Sequence, residues 1–171
     1  MKVFFSHGKE SGPWGSKIKR LADKACSLGF SVESIDYTDS LDPDVRVTKL
    51  INRLQQETEL YLLVGSSMGG YVSLVAAEQA QPKGVFLLAP ALYIPDYQVQ
   101  QYARTLDSKV RIEVVHGWHD SVIPFEHSVR FSKEQDCSLH LISGDHRLND
   151  SINEVEKLFS QFLKHFLVTT N

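Results

Sequence analysis

Little in this sequence points to a metal, a nucleic acid or a membrane. Cysteine is limited to Cys26 and Cys137, which show neither metal-ligand nor redox spacing. Such a pair fits isolated thiols in a reducing compartment and leaves a disulfide between them open. Charge of either sign is not in excess: the formal net charge is -3 over 171 residues, with both signs interspersed. That excludes the electrostatic footprint of a nucleic-acid or anionic-membrane partner. No apolar run is long enough to span a bilayer, because Val85 to Ile94 is interrupted by Pro90, and the opening Met1 to Phe5 is too brief for a signal peptide. A cytoplasmic location is the expectation. Also missing are the Gly-Lys-Ser/Thr ending of a phosphate loop, the Gly-x-Gly-x-x-Gly of a dinucleotide site, any internal repeat, and histidines or carboxylates at ligand spacing on a common element. No cofactor and no metal are expected.

What is present is a chain with 42% hydrophobic residues, enough for one sizeable core and too short for two, so one domain over 1–171 is expected. Val3 to Phe5 reads as a first strand, followed by a polar, glycine-rich loop from Gly8 to Ser16. Ile18, Leu21, Ala22 and Ala25 keep helical spacing, Gly29 stops the helix, and Lys17, Lys19 and Arg20 read as its wet face. Phe30 to Ile35 is a second strand. Asp42-Pro43 supplies a cap and a first-turn proline for a helix carrying Val47, Leu50, Ile51 and Leu54. Leu60 to Val64, the wholly apolar Val85 to Ala89, Val110 to Val115 and Leu139 to Ile142 complete six strands. Helices follow Ser67, Pro124 and Ser151, the last with a capping box to Glu154. Strands alternating with helices predict a three-layer α/β fold around a six-stranded parallel sheet. The interval 90–108, with Val99, Tyr102, Ala103 and Leu106 in amphipathic spacing, is expected as a short lid-like connection with a helix near the site.

The stretch Val64-Gly65-Ser66-Ser67-Met68-Gly69-Gly70 organises the chain, since a buried strand there turns directly into a helix. Gly65, Ser67 and Gly69 form Gly-x-Ser-x-Gly, whose glycines let strand and helix pass closely while the serine projects from the turn. Residues at the carboxyl ends of parallel strands converge on one edge. Four such ends carry His7-Gly8, Ser67, Asp120 and His146, so nucleophile, acid and base come in the order Ser, Asp, His. Together with Gly117, Asp120 and Pro124 in a Gly-x-x-Asp-x-x-x-Pro stretch, and Gly-Asp-His at 144–146, the chain resembles the α/β-hydrolase superfamily over nearly its whole length. It is similar to a reduced form lacking the first two strands, of the YqiA-like kind of small bacterial serine esterase. Asp145 and Arg147 beside the base depart from the forms usual there.

The resemblance implies a serine hydrolase acting on a small-molecule ester through an acyl-serine intermediate, with thioesterase or peptidase chemistry, or a silent binding scaffold, as alternatives. His146 would take the Ser67 proton, and Asp120 would fix the imidazole tautomer. Backbone N–H groups of Lys9 and Met68 would hold the oxyanion. Asp145 competes with Asp120 as the acid and His119 with His146 as the base; His7 reads as a loop brace, His116 and His140 as structural, and His127 and His165 as surface residues. Trp14, Tyr93, Tyr97 and Trp118 fall in loops on the same edge, where they could wall a substrate pocket.

Overall fold

The computed structural model describes residues 1–102 and 110–168. Along the chain come β1 (Lys2–Ser6), α1 (Ser16–Ser27), β2 (Ser31–Ile35), α2 (Pro43–Leu54), β3 (Tyr61–Ser66), α3 (Met68–Ala80), β4 (Gly84–Leu88), β5 (Arg111–Gly117), α4 (Phe125–Gln135), β6 (Ser138–Ile142) and α5 (Ile152–Val168). The six strands form one sheet in the order β2-β1-β3-β4-β5-β6, and every neighbouring pair is parallel. Successive residues of each strand face opposite sides, so both faces of a covered sheet must be apolar. Val3 and Phe5 pack with Ile18, Leu21 and Ala25 of α1 and with Phe159, Phe162 and Leu163 of α5. On the other face Phe4 and Leu63 meet Val47 and Leu50 of α2, while Val85 and Val114 share that layer with α3 and Phe131 of α4.

Local signals explain most boundaries. Asp42 Oδ1 accepts the Asp44 and Val45 N–H groups at 2.8 and 3.2 Å, satisfying donors that the first turn of α2 leaves open. Gly29 takes φ +88° just beyond α1, a left-handed conformation that a side chain would strain. α4 begins at Phe125, directly after Pro124. One expected cap differs. The Ser151 hydroxyl donates to the Ser143 carbonyl and staples the β6–α5 loop, while the Glu154 N–H that a capping box would send to that hydroxyl goes to the Ser151 backbone carbonyl at 3.0 Å. The amphipathic set of the 90–108 connection extends into residues 103–109, outside the described residues; Tyr102 is buried among Tyr71, Tyr93 and Phe131. Cys26 and Cys137 are both free thiols. No helix among the described residues is long and apolar enough to cross a membrane.

Because β1 is flanked by β2 on one side and β3 on the other, the chain reverses its direction of travel across the sheet between β1 and β3. Loops leaving those two strands diverge to opposite faces and open a crevice at their carboxyl ends. His7-Gly8 follows β1, and Ser67 follows β3.

Candidate active site

Ser67 sits between the last residue of β3 and the first of α3 with φ 55° and ψ -121°, a conformation non-glycine residues avoid at a cost of roughly 1–3 kcal/mol. The surroundings hold it there: Ser67 N–H donates to the Leu88 carbonyl at 3.0 Å, and its own carbonyl accepts from Gly70 and Ala91, each at 2.9 Å. The turn aims Oγ off the sheet edge. His146, in the loop after β6, places Nε2 2.9 Å from that hydroxyl and Nδ1 2.7 Å from Asp120 Oδ2. Asp120 lies in the loop after β5, and its Oδ1 accepts the Val122 and Ile123 N–H groups, both at 2.8 Å. Burial acts to raise its pKa, but those N–H groups and His146 outweigh it and hold the carboxyl below its ordinary value. An ionised carboxylate facing Nδ1 keeps the proton there and leaves Nε2 a lone pair toward the serine. That is the arrangement nucleophilic acyl transfer requires.

The competing residues lie elsewhere. His119 is exposed, and its backbone N–H donates to the Gly144 carbonyl at 3.0 Å. Asp145 Oδ1 accepts the Arg147 and Leu148 N–H groups at 3.0 and 2.9 Å, shaping the loop that carries His146. His140 bonds Glu113 at 3.1 Å. His127, expected at the surface, is half-buried with Nδ1 2.7 Å from the Leu92 carbonyl.

A cavity of about 560 Å³ opens over Ser67 and His146. Lys9 and Met68 line it, and Met68, as the first residue of α3, has an N–H without an intrahelical acceptor. Of the four aromatic candidates, Tyr97 lines it, with its ring 4.6 Å from that of Tyr71. The other three do not. Tyr93 donates its hydroxyl to Glu134 at 2.7 Å beneath the Arg130 guanidinium, and Trp118 rests edge-on against Phe125 at 5.1 Å. Trp14 is 44% exposed to solvent. Apolar contact in the cavity comes instead from Ile18, Ile94 and Ile123. Lys17, expected on the wet face of α1, is half-buried and lines the cavity. Among the described residues no group of His, Cys, Asp or Glu is placed to hold a metal ion.

Two residues behind the site were missed as participants. Arg46 on α2 is 1% exposed, and no carboxylate among the described residues pairs with it. Its guanidinium donates instead to the carbonyls of Ser40 (2.7 Å), His7 (3.4 Å), Gly8 (3.2 Å) and Lys9 (3.3 Å), so the loop after β1 is pinned by its oxygens. His7 braces the same loop: its Nε2 accepts the Tyr37 N–H at 3.0 Å and its Nδ1–H donates to the Gly8 carbonyl at 2.8 Å. A signal for Arg46 existed, since it lies four residues before Leu50 on the buried stripe of α2. His116 is the second. Fully buried, it places Nε2 2.9 Å from Asp120 Oδ2 and 3.1 Å from the Ile123 carbonyl, with Nδ1 2.7 Å from Ser128 Oγ. Two acceptors at Nε2 require the proton there, which makes Nδ1 the acceptor of the Ser128 hydroxyl. Asp120 is thus held by two imidazoles and two backbone N–H groups.

Burial lowers the pKa of both His7 and His116 from their ordinary value, which sets an acid limit on stability. The unfolded chain takes up these protons near pH 6.5 while the folded chain refuses them, so the stability they supply is complete above about pH 6.5 and is lost as pH falls below it. Melting curves from pH 7.5 to 5 are expected to show a falling Tm below about 6.5. The slope should be shallower in His116→Gln; equal slopes would assign the acid sensitivity to other groups.

The all-parallel order, the switch between β1 and β3 and the serine in a tight β3–α3 turn define an α/β-hydrolase fold. Within that class the chain belongs to the uncharacterised protein family UPF0227, whose model matches residues 2–102. Among solved structures it is similar to a candidate hydrolase of the α/β superfamily from Xanthomonas campestris pv. campestris, with 27% identity, a TM-score of 0.86, and 96% of this chain and 98% of that one covered. It is similar in fold to Est1E from Butyrivibrio proteoclasticus with ferulic acid bound, at 17% identity and a TM-score of 0.83 over 98% and 90% of the two chains. A third neighbour is an α/β serine hydrolase without lid from Xanthomonas campestris, at 20% identity and a TM-score of 0.71 over 99% and 84%. No curated protein sequence matches the chain.

Proposed function

We propose that this protein is a serine hydrolase that cleaves small carboxylic esters through an acyl-serine intermediate. The observation that carries the reading is the continuous hydrogen-bonded chain from Ser67 Oγ through His146 to Asp120 at the floor of an open cavity. In the first half-reaction His146 Nε2 takes the hydroxyl proton as Oγ bonds to the ester carbonyl carbon. The oxyanion that forms is received by the N–H groups of Met68 and Lys9, each such donor contributing about 3 kcal/mol to the transition state. Collapse breaks the bond to the leaving oxygen, which departs with the proton held on Nε2. Water then repeats the sequence, giving its proton to Nε2 and its oxygen to the acyl carbon, and Oγ recovers the proton as the acid leaves.

The cavity is roomy enough for a small ester, and the isoleucines with Tyr97 supply apolar surface for its acyl group. The ferulic acid held by the fold neighbour Est1E makes aryl-substituted acids a sensible part of any substrate panel. The test combines a fluorophosphonate probe with p-nitrophenyl butyrate. Wild type is expected to label at one site and to hydrolyse the ester, and Ser67→Ala to do neither. Labelling that persists in Ser67→Ala, or no labelling of the folded wild type, would overturn the proposal.

A further inference from the structure

The cavity over Ser67 is unevenly charged. Lys9, Lys17 and Arg147 line it, with Glu10 as the one carboxylate among its lining residues. None of the three cations forms an ion pair among the described residues, although the chain as a whole carries -3. The positive excess is therefore local to this rim. Lys17 is fixed in place, since its Nζ donates to the Arg147 carbonyl at 2.9 Å. Burial pushes its ammonium down to about 8, against the opposing pull of the Asp145 and Asp120 carboxylates. A cation that has lost part of its hydration gains from an anion that arrives to replace it.

The position of these charges also says which part of the substrate they meet. Arg147 follows His146 directly and Lys17 bonds the Arg147 carbonyl, so both cations belong to the wall of the cavity that carries the imidazole. The leaving oxygen is the atom that His146 protonates, so the alcohol portion is the part of an ester that this wall meets. We propose that the substrate's alcohol portion carries a carboxylate or phosphate group, which Lys17 and Arg147 bind beside His146. This rests on the serine-hydrolase reading above and narrows it to esters of acidic alcohols.

The test uses 4-butyryloxybenzoate and 4-butyryloxyphenyl phosphate against the uncharged methyl 4-butyryloxybenzoate. The methyl ester has the better leaving group than the benzoate, so intrinsic reactivity works against the expected result. At low salt kcat/KM for one or both anionic esters should exceed that of the neutral ester by roughly tenfold, the worth of one charge-assisted hydrogen bond. Added salt should erode the ratio. Lys17→Met and Arg147→Met should each reduce it several-fold whatever their effect on overall rate, and the anion preferred, carboxylate or phosphate, identifies the group. A neutral ester turned over as well as both anions, or variants that slow charged and neutral esters alike, would overturn the anion site while fluorophosphonate labelling of Ser67 left the hydrolase reading standing. Failure of that labelling removes both.

Discussion

Asp120→Asn is expected to lower kcat/KM for p-nitrophenyl butyrate by about three to four powers of ten with the protein still folded. The reason lies in how the carboxylate is surrounded. Oδ1 accepts two backbone N–H groups, from Val122 and Ile123, and those donors oblige an asparagine to place its carbonyl oxygen there. Its NH2 then occupies the Oδ2 position and faces Nδ1 of His146, where a donor now meets a donor. The imidazole relieves this by moving its proton to Nε2, which leaves no lone pair to accept the Ser67 proton. His116 cannot absorb the change, because reversing its tautomer would turn a lone pair toward the Ile123 carbonyl. Steady-state rates with a thermal melt on the same sample check the prediction. A loss below tenfold would show that Asp120 does not set the tautomer.

The largest structural effect is expected at Gly69. A Cβ there would stand 2.0 Å from the Ser6 carbonyl oxygen and 2.4 Å from its carbon, both backbone atoms of the interior strand β1. No rotamer change relieves that contact, so Gly69→Ala must separate α3 from β1. We expect more than about 4 kcal/mol of destabilisation, read as loss of soluble protein or of the cooperative melt. Gly12→Ala is the control: nothing lies within 4 Å of its added Cβ, and its melt should match wild type. Gly69 belongs to the Gly-x-Ser-x-Gly turn, and Gly12 to the polar loop after β1. Only Gly69 sits where a helix begins against a neighbouring strand.

Features set by short-range forces are written in the sequence, and those set by long-range contacts are not. Strands with apolar runs, helices with a 3.6-residue stripe and the Asp42-Pro43 start of α2 are local, and they were legible because each residue's neighbours in sequence decide its state. Parallel pairing added one non-local rule, that strand ends share an edge, and this sufficed to place Ser67, Asp120 and His146 at a common rim. Side-chain direction beyond that was not legible. Tyr93 and Trp118 are at the expected edge, yet Tyr93 turns to Glu134 and Trp118 to Phe125, partners on α4 that no spacing rule connects to them. Ser151 chose the Ser143 carbonyl over its own helix for the same reason. Lys17 read as a solvated charge because its helix stripe was satisfied without it; the loop that half-buries it arrives 130 residues later.

Arg46 makes the loop after the first strand depend on the second helix. Three of its carbonyl bonds, to His7, Gly8 and Lys9, hold the loop after β1, but the arginine itself comes from the second helix, anchored by Leu50 and Leu54 to the face of the sheet. The first strand can therefore find its place in the sheet while the segment that would receive a tetrahedral adduct still wanders. During refolding, recovered helical signal should run ahead of recovered turnover, and a protein warmed until that second helix loosens would fall silent while its sheet remained intact.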